Sequence, residues 1–126
     1  MPSILLVMAG GALGAAMRFL LGRFMLHQFG PGFPWGTLGA NILGGLAMGV
    51  LVGLLARYGG NWGEGWRLFL GIGLLGGFTT FSAFSLETVN MIERGDFGIA
   101  LSYILASVLG AVAALFVGLW AIRVAL

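Results

Sequence analysis

The chain has 126 residues, of which 60% are hydrophobic and only 8% carry a charge. A typical soluble domain has about 25% charged residues, because its surface must be covered by groups that water solvates. The composition therefore excludes a soluble enzyme, a disordered chain and a nucleic-acid-binding protein, and it indicates a small integral membrane protein. The sequence also contains no cysteine, no lysine and a single histidine, which excludes thiol chemistry, Schiff-base chemistry and a histidine cluster for a metal.

Four apolar stretches are long enough to cross a bilayer, which takes about 20 mostly apolar residues in a helix. They cover residues 3–26, 36–57, 66–92 and 97–124. Because only short connections remain between them, the sequence predicts an all-α membrane protein with a single transmembrane domain, residues 1–126.

The six arginines are shared almost evenly between the two sides of the membrane. Arg57, Arg67 and Arg123 fall on one side, Arg23 and Arg94 fall on the other, and Arg18 lies inside the first crossing. Orientation normally follows an excess of arginine and lysine in the short loops of one side. This balance predicts insertion in both orientations and, as a hypothesis, antiparallel pairing of two copies.

Small residues recur at every fourth position in the second and fourth crossings. They are Gly45, Gly49 and Gly53 in the second, and Ala106, Gly110, Ala114 and Gly118 in the fourth. This spacing lets helix backbones approach closely in lipid, so it predicts packing seams within or between subunits.

Polar side chains inside the crossings are costly in lipid, so each is a candidate for function. Arg18, about two thirds along the first crossing, either extends its guanidinium to the interface or draws anions into a vestibule. Thr37 and Asn41 lie one turn apart on one face of the second helix. Their hydroxyl and amide groups can both donate hydrogen bonds, which either join neighbouring helices or serve a function.

The third crossing contains the strongest signal, the run Gly76-Gly77-Phe78-Thr79-Thr80-Phe81-Ser82-Ala83-Phe84-Ser85. Glycine lowers helix stability by up to about 1 kcal/mol, and threonine and serine offer the backbone alternative partners. We therefore predict a break at residues 76–80, with a second half-helix that begins near Thr80 or Phe81. Carbonyl groups at such a break suit a hard cation, and the amides that open the new helix favour an anion.

Two phenylalanines follow the break, and their spacing places Phe81, Phe84 and Thr88 on one helix face. The positive edge of a phenylalanine ring can meet an anion, although packing in the core or against lipid is its commoner role. Glu87 is the only acid within the hydrocarbon region, and it either pairs with an arginine or sits near the far interface.

The fourth crossing carries only a sparse polar stripe. Tyr103 and Ser107 lie one turn apart, with Ser102 beside them. We expect this stripe to face Thr37 and Asn41, although a serine in a helix commonly bonds back to its own backbone.

Three stretches of the chain resemble the CrcB family of fluoride channels, also called the Fluc channels. They are Gly10–Phe19, Trp35–Asn41 and Gly76–Ser85. Length, four crossings and weak charge bias agree as well, so the resemblance covers essentially the whole chain. It implies a fluoride-selective channel that exports fluoride passively across the cell membrane and relieves its toxicity, and it implies no enzyme activity.

The resemblance also implies an assembly and a set of site residues. Members of the family are antiparallel homodimers with two fluoride pores between the subunits and a structural sodium ion at the centre. The backbone carbonyls that hold the sodium match Gly76 and Thr79, and the vestibule arginine matches Arg18. The fluoride path matches Asn41, Thr37, Phe81, Phe84, Ser82, Tyr103 and Ser107. One departure is Ala111, which stands where some members carry a third serine of the polar track.

A small multidrug exporter is the alternative, because such proteins also have four helices and are sometimes antiparallel. Their proton-coupled mechanism needs a carboxylate embedded in the membrane, typically in the first helix. The first crossing here carries Arg18 and no acid, which favours the channel. A packing subunit of a larger membrane complex would explain the glycines, but not the predicted break and its hydroxyl groups.

Overall fold

The computed structural model describes residues 2–58, 60 and 63–125. Within this part of the chain all regular structure is helical, and four spans are long and apolar enough to cross a membrane. They are Ser3–Phe29, Trp35–Tyr58, Gly63–Glu93 and Phe97–Ala125. The predicted all-α architecture with four crossings is confirmed.

Three of the spans are single helices, and the third is composite. The single helices are α1 (Ser3–Phe29), α2 (Trp35–Tyr58) and α6 (Phe97–Ala125). The third span consists of α3 (Gly63–Trp66), a π-helical segment π1 (Arg67–Leu75), α4 (Gly76–Phe78) and α5 (Ser82–Glu93). The third span therefore changes its helical geometry twice before it is interrupted.

The interruption lies at residues 79–81, between α4 and α5. Thr79 is extended, with φ −82° and ψ 157°, and the helix resumes at Ser82. The third span is broken as predicted, but Gly76 and Gly77 remain helical and the unwound residues follow them. Close packing accounts for glycine at position 77, because a Cβ there would lie 2.7 Å from the carbonyl oxygen of Gly11 on α1.

The nine-residue π-helix in the first half of the third span has no counterpart among the sequence predictions. At its end the N–H of Gly76 donates to the carbonyl oxygen of Gly71, five residues back. Wider turns of this kind are rare and often occur at functional sites. π1 packs along α1 at close range, since a Cβ on Gly73 would lie 2.9 Å from the carbonyl oxygen of Val7.

α2 and α6 form the most extensive helix pair in the described part of the subunit. A Cβ on Gly45 would lie 2.5 Å from the carbonyl oxygen of Ala111, and one on Gly49 would lie 2.9 Å from the amide nitrogen of Leu119. Gly118 meets the backbone of α2 in the same way. These members of the two predicted seams therefore act within the chain, where they allow α2 and α6 to touch.

A small buried core joins α2, α5 and α6. It consists of Leu38, Phe84, Met91, Ala100 and Tyr103. Many other large apolar side chains are exposed, as expected for a chain that is surrounded by lipid tails rather than water. Because this core fixes α5 against α6, it places the residues that follow the break beside the polar stripe of α6.

Candidate functional site

The side chain of Asn41 binds the backbone of Thr80 at the break in the third span. Its Nδ2 donates to the Thr80 carbonyl oxygen at 3.1 Å, and its Oδ1 accepts from the Thr80 N–H at 2.9 Å. A buried backbone group without a partner costs about as much as a lost hydrogen bond. Asn41 therefore supplies the hydrogen-bond partners that the interrupted helix cannot give to Thr80. Its amide keeps a second Nδ2 proton that no described residue accepts.

The break also changes what the nearby carbonyl groups can bind. Thr80 Oγ1 accepts from the N–H of Ala83 at 3.2 Å and so gives a partner to one of the first amides of α5. In a continuous α-helix the Thr80 N–H would donate to the carbonyl oxygen of Gly76, but here it donates to Asn41. The carbonyl oxygens of Gly76 and of the extended Thr79 are ligands of the kind that a hard cation binds.

A groove of about 390 Å³ runs beside the break. It brings together predicted site residues from three separate spans: Asn41 on α2, Phe81 and Phe84 around the start of α5, and Ser107 on α6. Thr79 also lines this groove. None of the described residues that line it is acidic.

The two phenylalanines of the groove differ sharply in their surroundings. Their ring centroids lie 5.6 Å apart, but Phe81 is 76% exposed and Phe84 is 7% exposed. The ring of Phe84 packs against that of Tyr103 at a centroid distance of 5.1 Å. Phe84 is therefore fixed by the core, whereas Phe81 presents its ring to whatever covers the groove.

Ser107 and Ser102, both on the predicted polar stripe, differ in their burial and hydrogen bonding. Ser107 lines the groove, and its Oγ is buried without a hydrogen-bond partner among the described residues. Ser102 is exposed and donates to the carbonyl oxygen of Gly98 in its own helix at 2.9 Å. Beyond Ser107 the wall of the groove becomes apolar, with Ala111 and Val112. Of the two serines, only Ser107 lines the groove.

Tyr103 lies behind the groove rather than in its described lining. It is fully buried, and its hydroxyl donates to Oε1 of Glu87 at 3.1 Å. The partner of Glu87 is thus a tyrosine, which the sequence did not indicate. Nothing in the local spacing joins the two residues, because only the packing of α5 on α6 brings them together.

A second cavity of about 340 Å³, named here the Arg18 vestibule, contains Arg18 and is lined also by Thr37 and Thr80. Because Thr80 lines the groove as well, both spaces open onto the break. The Nε of Arg18 is buried and has no hydrogen-bond partner in the described part of the chain. Ser82 stands at the same break, with its Oγ 3.5 Å from Oγ1 of Thr80.

These features define a small multi-pass membrane protein whose broken third span carries a groove of neutral polar and aromatic groups beside an arginine vestibule. The sequence model of the family described as "CrcB-like protein, Camphor Resistance (CrcB)" matches residues 5–119. The chain belongs to this family.

Curated relatives match the chain over nearly its whole length, and each is named "Fluoride-specific ion channel FluC". The relative from Phenylobacterium zucineum (strain HLK1) is 60% identical over 119 residues, which are 94% of each chain. The relative from Sphingopyxis alaskensis is 56% identical over 123 residues, 98% of this chain and 97% of that one. The relative from Caulobacter vibrioides (strain NA1000 / CB15N) is 51% identical over 123 residues, with the same coverage.

Proposed function

We propose that the chain forms a fluoride-selective channel that lets fluoride leave the cell down its electrochemical gradient and so relieves fluoride toxicity. The observation that carries the proposal is the groove in which Asn41, Phe81, Phe84 and Ser107 meet beside the broken span. The names of the relatives support the same cargo. Such conduction has no covalent step, so the protein is a channel of the cell membrane and not an enzyme.

The chemistry of the groove suits fluoride, a small anion that binds water strongly. A pore for such an ion must replace its water with hydrogen-bond donors and positive edges. Asn41 offers its remaining Nδ2 proton, Ser107 its unpartnered hydroxyl, and Phe81 and Phe84 the positive edges of their rings. No acidic residue in the described lining repels the anion.

The remaining residues of the proposed path lie in the Arg18 vestibule, at the break, or in the core that supports the groove. Arg18 attracts anions into its vestibule, where Thr37 contributes a hydroxyl group and Ser82 stands at the adjoining break. Tyr103 acts from behind, because its ring packs against that of Phe84 and its hydroxyl binds Glu87. It therefore fixes the inner aromatic wall.

The channel is proposed to be an antiparallel homodimer with two pores. The groove is open on one side of the subunit, and the ring of Phe81 is 76% exposed there, so a second copy would complete the wall. The balanced arginines allow both orientations in the membrane. Because a two-fold axis repeats each contact, one dimer would contain two such grooves.

A structural sodium ion, held by the carbonyl oxygens of Gly76 and Thr79, belongs to the same proposal. The residues fit such an ion, because the Thr80 N–H is diverted to Asn41 and leaves the Gly76 carbonyl without its helical partner. When bound, sodium supplies positive charge to carbonyl groups at membrane depth. Exchange of sodium for a larger cation should lower both thermal stability and flux, and indifference to the exchange would contradict the site.

A proton-coupled multidrug exporter is the rival function, and the distribution of acids speaks against it. Such an exporter needs a carboxylate in its first helix, where this chain has Arg18 and no acid. Glu87, the acid furthest from the ends of the described spans, is already bound to the buried Tyr103. The groove therefore offers an exporter no residue to carry its proton.

The deciding experiment is fluoride efflux from liposomes that contain the purified protein, followed with a fluoride electrode. We expect rapid fluoride release once a potassium ionophore balances the charge, with no requirement for a proton gradient. A parallel assay follows proton-driven uptake of a fluorescent cationic drug. Drug uptake without fluoride release would favour the exporter, and folded protein that releases no fluoride would refute the channel.

A further inference from the structure

Arg23 is a second positive charge at the Arg18 vestibule. The described residues that line this cavity include two charged side chains, Arg18 and Arg23, and both lie on α1. No described carboxylate forms an ion pair with either of them. Like charges in a cavity with low-dielectric walls add up to a field that concentrates ions of the opposite sign. The vestibule is therefore a better trap for anions than Arg18 alone would make it.

The guanidinium of Arg23 lies beside an aromatic ring of its own helix. Its guanidinium carbon lies 5.8 Å from the centroid of the Phe19 ring, one turn nearer the N-terminus of α1. Arg23 therefore occupies a cation–π position at the cavity wall.

We propose that Arg23 is an anion-collecting residue of the vestibule, held in place by Phe19, which raises the local fluoride concentration next to Arg18. The inference rests on the proposed channel function and adds a second residue to its entry step. Arg23 acts through its charge and not through a fixed hydrogen bond. Its effect is therefore screened by salt, since the Debye length falls from about 30 Å at 0.01 M to about 3 Å at 1 M.

The test compares initial fluoride efflux from liposomes for the wild type and Arg23→Gln in about 0.01 M and about 1 M of an impermeant salt. We expect Arg23→Gln to be about three- to tenfold slower at low salt, which is below the roughly 10- to 1,000-fold effect of a whole charged cleft because Arg18 remains. At high salt the two rates should converge. Arg23→Lys keeps the charge and should stay close to the wild type, and Phe19→Leu, which keeps Arg23 but removes its aromatic support, should fall between.

Arg123→Gln is the matched control, because it removes one positive charge from the last turn of α6, outside the lining of the vestibule. Its efflux should equal that of the wild type at both salt concentrations. Equal low-salt rates for the wild type and Arg23→Gln would overturn the role of Arg23 and leave the channel intact. A deficit that persists at high salt would overturn it too. A wild type without fluoride flux would refute both the channel and the role of Arg23. Failure of the role of Arg23 alone is therefore distinguishable from failure of the channel.

Discussion

Asn41 and Thr80, which lie 39 residues apart in the chain, bind each other through both halves of one side-chain amide. The arrangement imitates a pair of backbone groups, so the N–H and the carbonyl oxygen of Thr80 keep hydrogen-bond partners where lipid offers none. The same amide lines the groove and has one proton left. A single asparagine thus stabilises the break and, in the proposed channel, meets the ion.

Asn41→Asp keeps the shape of the side chain and removes its donors. The carboxylate would face the Thr80 carbonyl without a proton and would put a negative charge into the groove. We expect fluoride efflux to fall at least about tenfold, a change equivalent to about 1.4 kcal/mol. The unpaired carbonyl should lower the free energy of unfolding by about 1–3 kcal/mol.

Liposome efflux and thermal unfolding in detergent measure the two effects of Asn41→Asp. Asn90→Asp makes the same chemical change at an exposed site on α5 and should alter neither. Efflux at the wild-type rate from Asn41→Asp would remove this residue from the ion path.

Ser107→Ala tests the unpartnered hydroxyl of the groove. Because the Oγ is buried without a hydrogen bond in the described chain, its removal relieves a desolvated polar group, which costs about 1–3 kcal/mol when left unsatisfied. We therefore expect unchanged or higher thermal stability together with slower fluoride efflux. Ser102→Ala is the control, since that exposed hydroxyl binds only its own helix. Equal efflux from both variants would show that fluoride does not use Ser107.

The two phenylalanines should differ in how much they stabilise the fold. Phe84→Ile removes a ring from the core and should lower the free energy of unfolding by about 1–3 kcal/mol, less than a full truncation to alanine costs. Phe81→Ile, at a ring that is 76% exposed in the subunit, should leave the fold nearly unchanged but slow fluoride efflux. Phe116→Ile, at an exposed ring on α6, controls for loss of an aromatic group. Normal efflux from Phe81→Ile would contradict its place in the pore.

The four crossings are predictable from sequence because a helix in lipid must satisfy its own backbone and needs an apolar surface. The break is predictable only in part. Composition identifies a weak helix around Gly76 and Thr80, but the point of unwinding depends on Asn41 from another span, which captures the Thr80 backbone. Gly77 remains helical and packs directly on α1, where a Cβ would lie 2.7 Å from the carbonyl oxygen of Gly11.

In the candidate site, too, local relations could be predicted from the sequence but contacts between separate helices could not. Helical spacing correctly predicts that Phe81 and Phe84 lie together, since that relation is local. Spacing also places Tyr103 beside Ser107, yet the tyrosine belongs to the core and the serine to the groove. The bond from Tyr103 to Glu87 was not predictable, because it depends on how α5 packs against α6.

The contact between α2 and α6 predicts opposite effects for the same substitution at two glycines. Gly49→Ala would place a Cβ 2.9 Å from the amide nitrogen of Leu119 and closer still to the carbonyl oxygen of Leu115, which forces the helices apart. Overpacking of this kind costs about 1–3 kcal/mol. Gly98→Ala, in the first turn of α6, meets no described atom within 4 Å and should raise stability by up to about 1 kcal/mol through helix propensity. Thermal unfolding of both variants in detergent measures the difference, and equal melting temperatures would contradict the tight crossing.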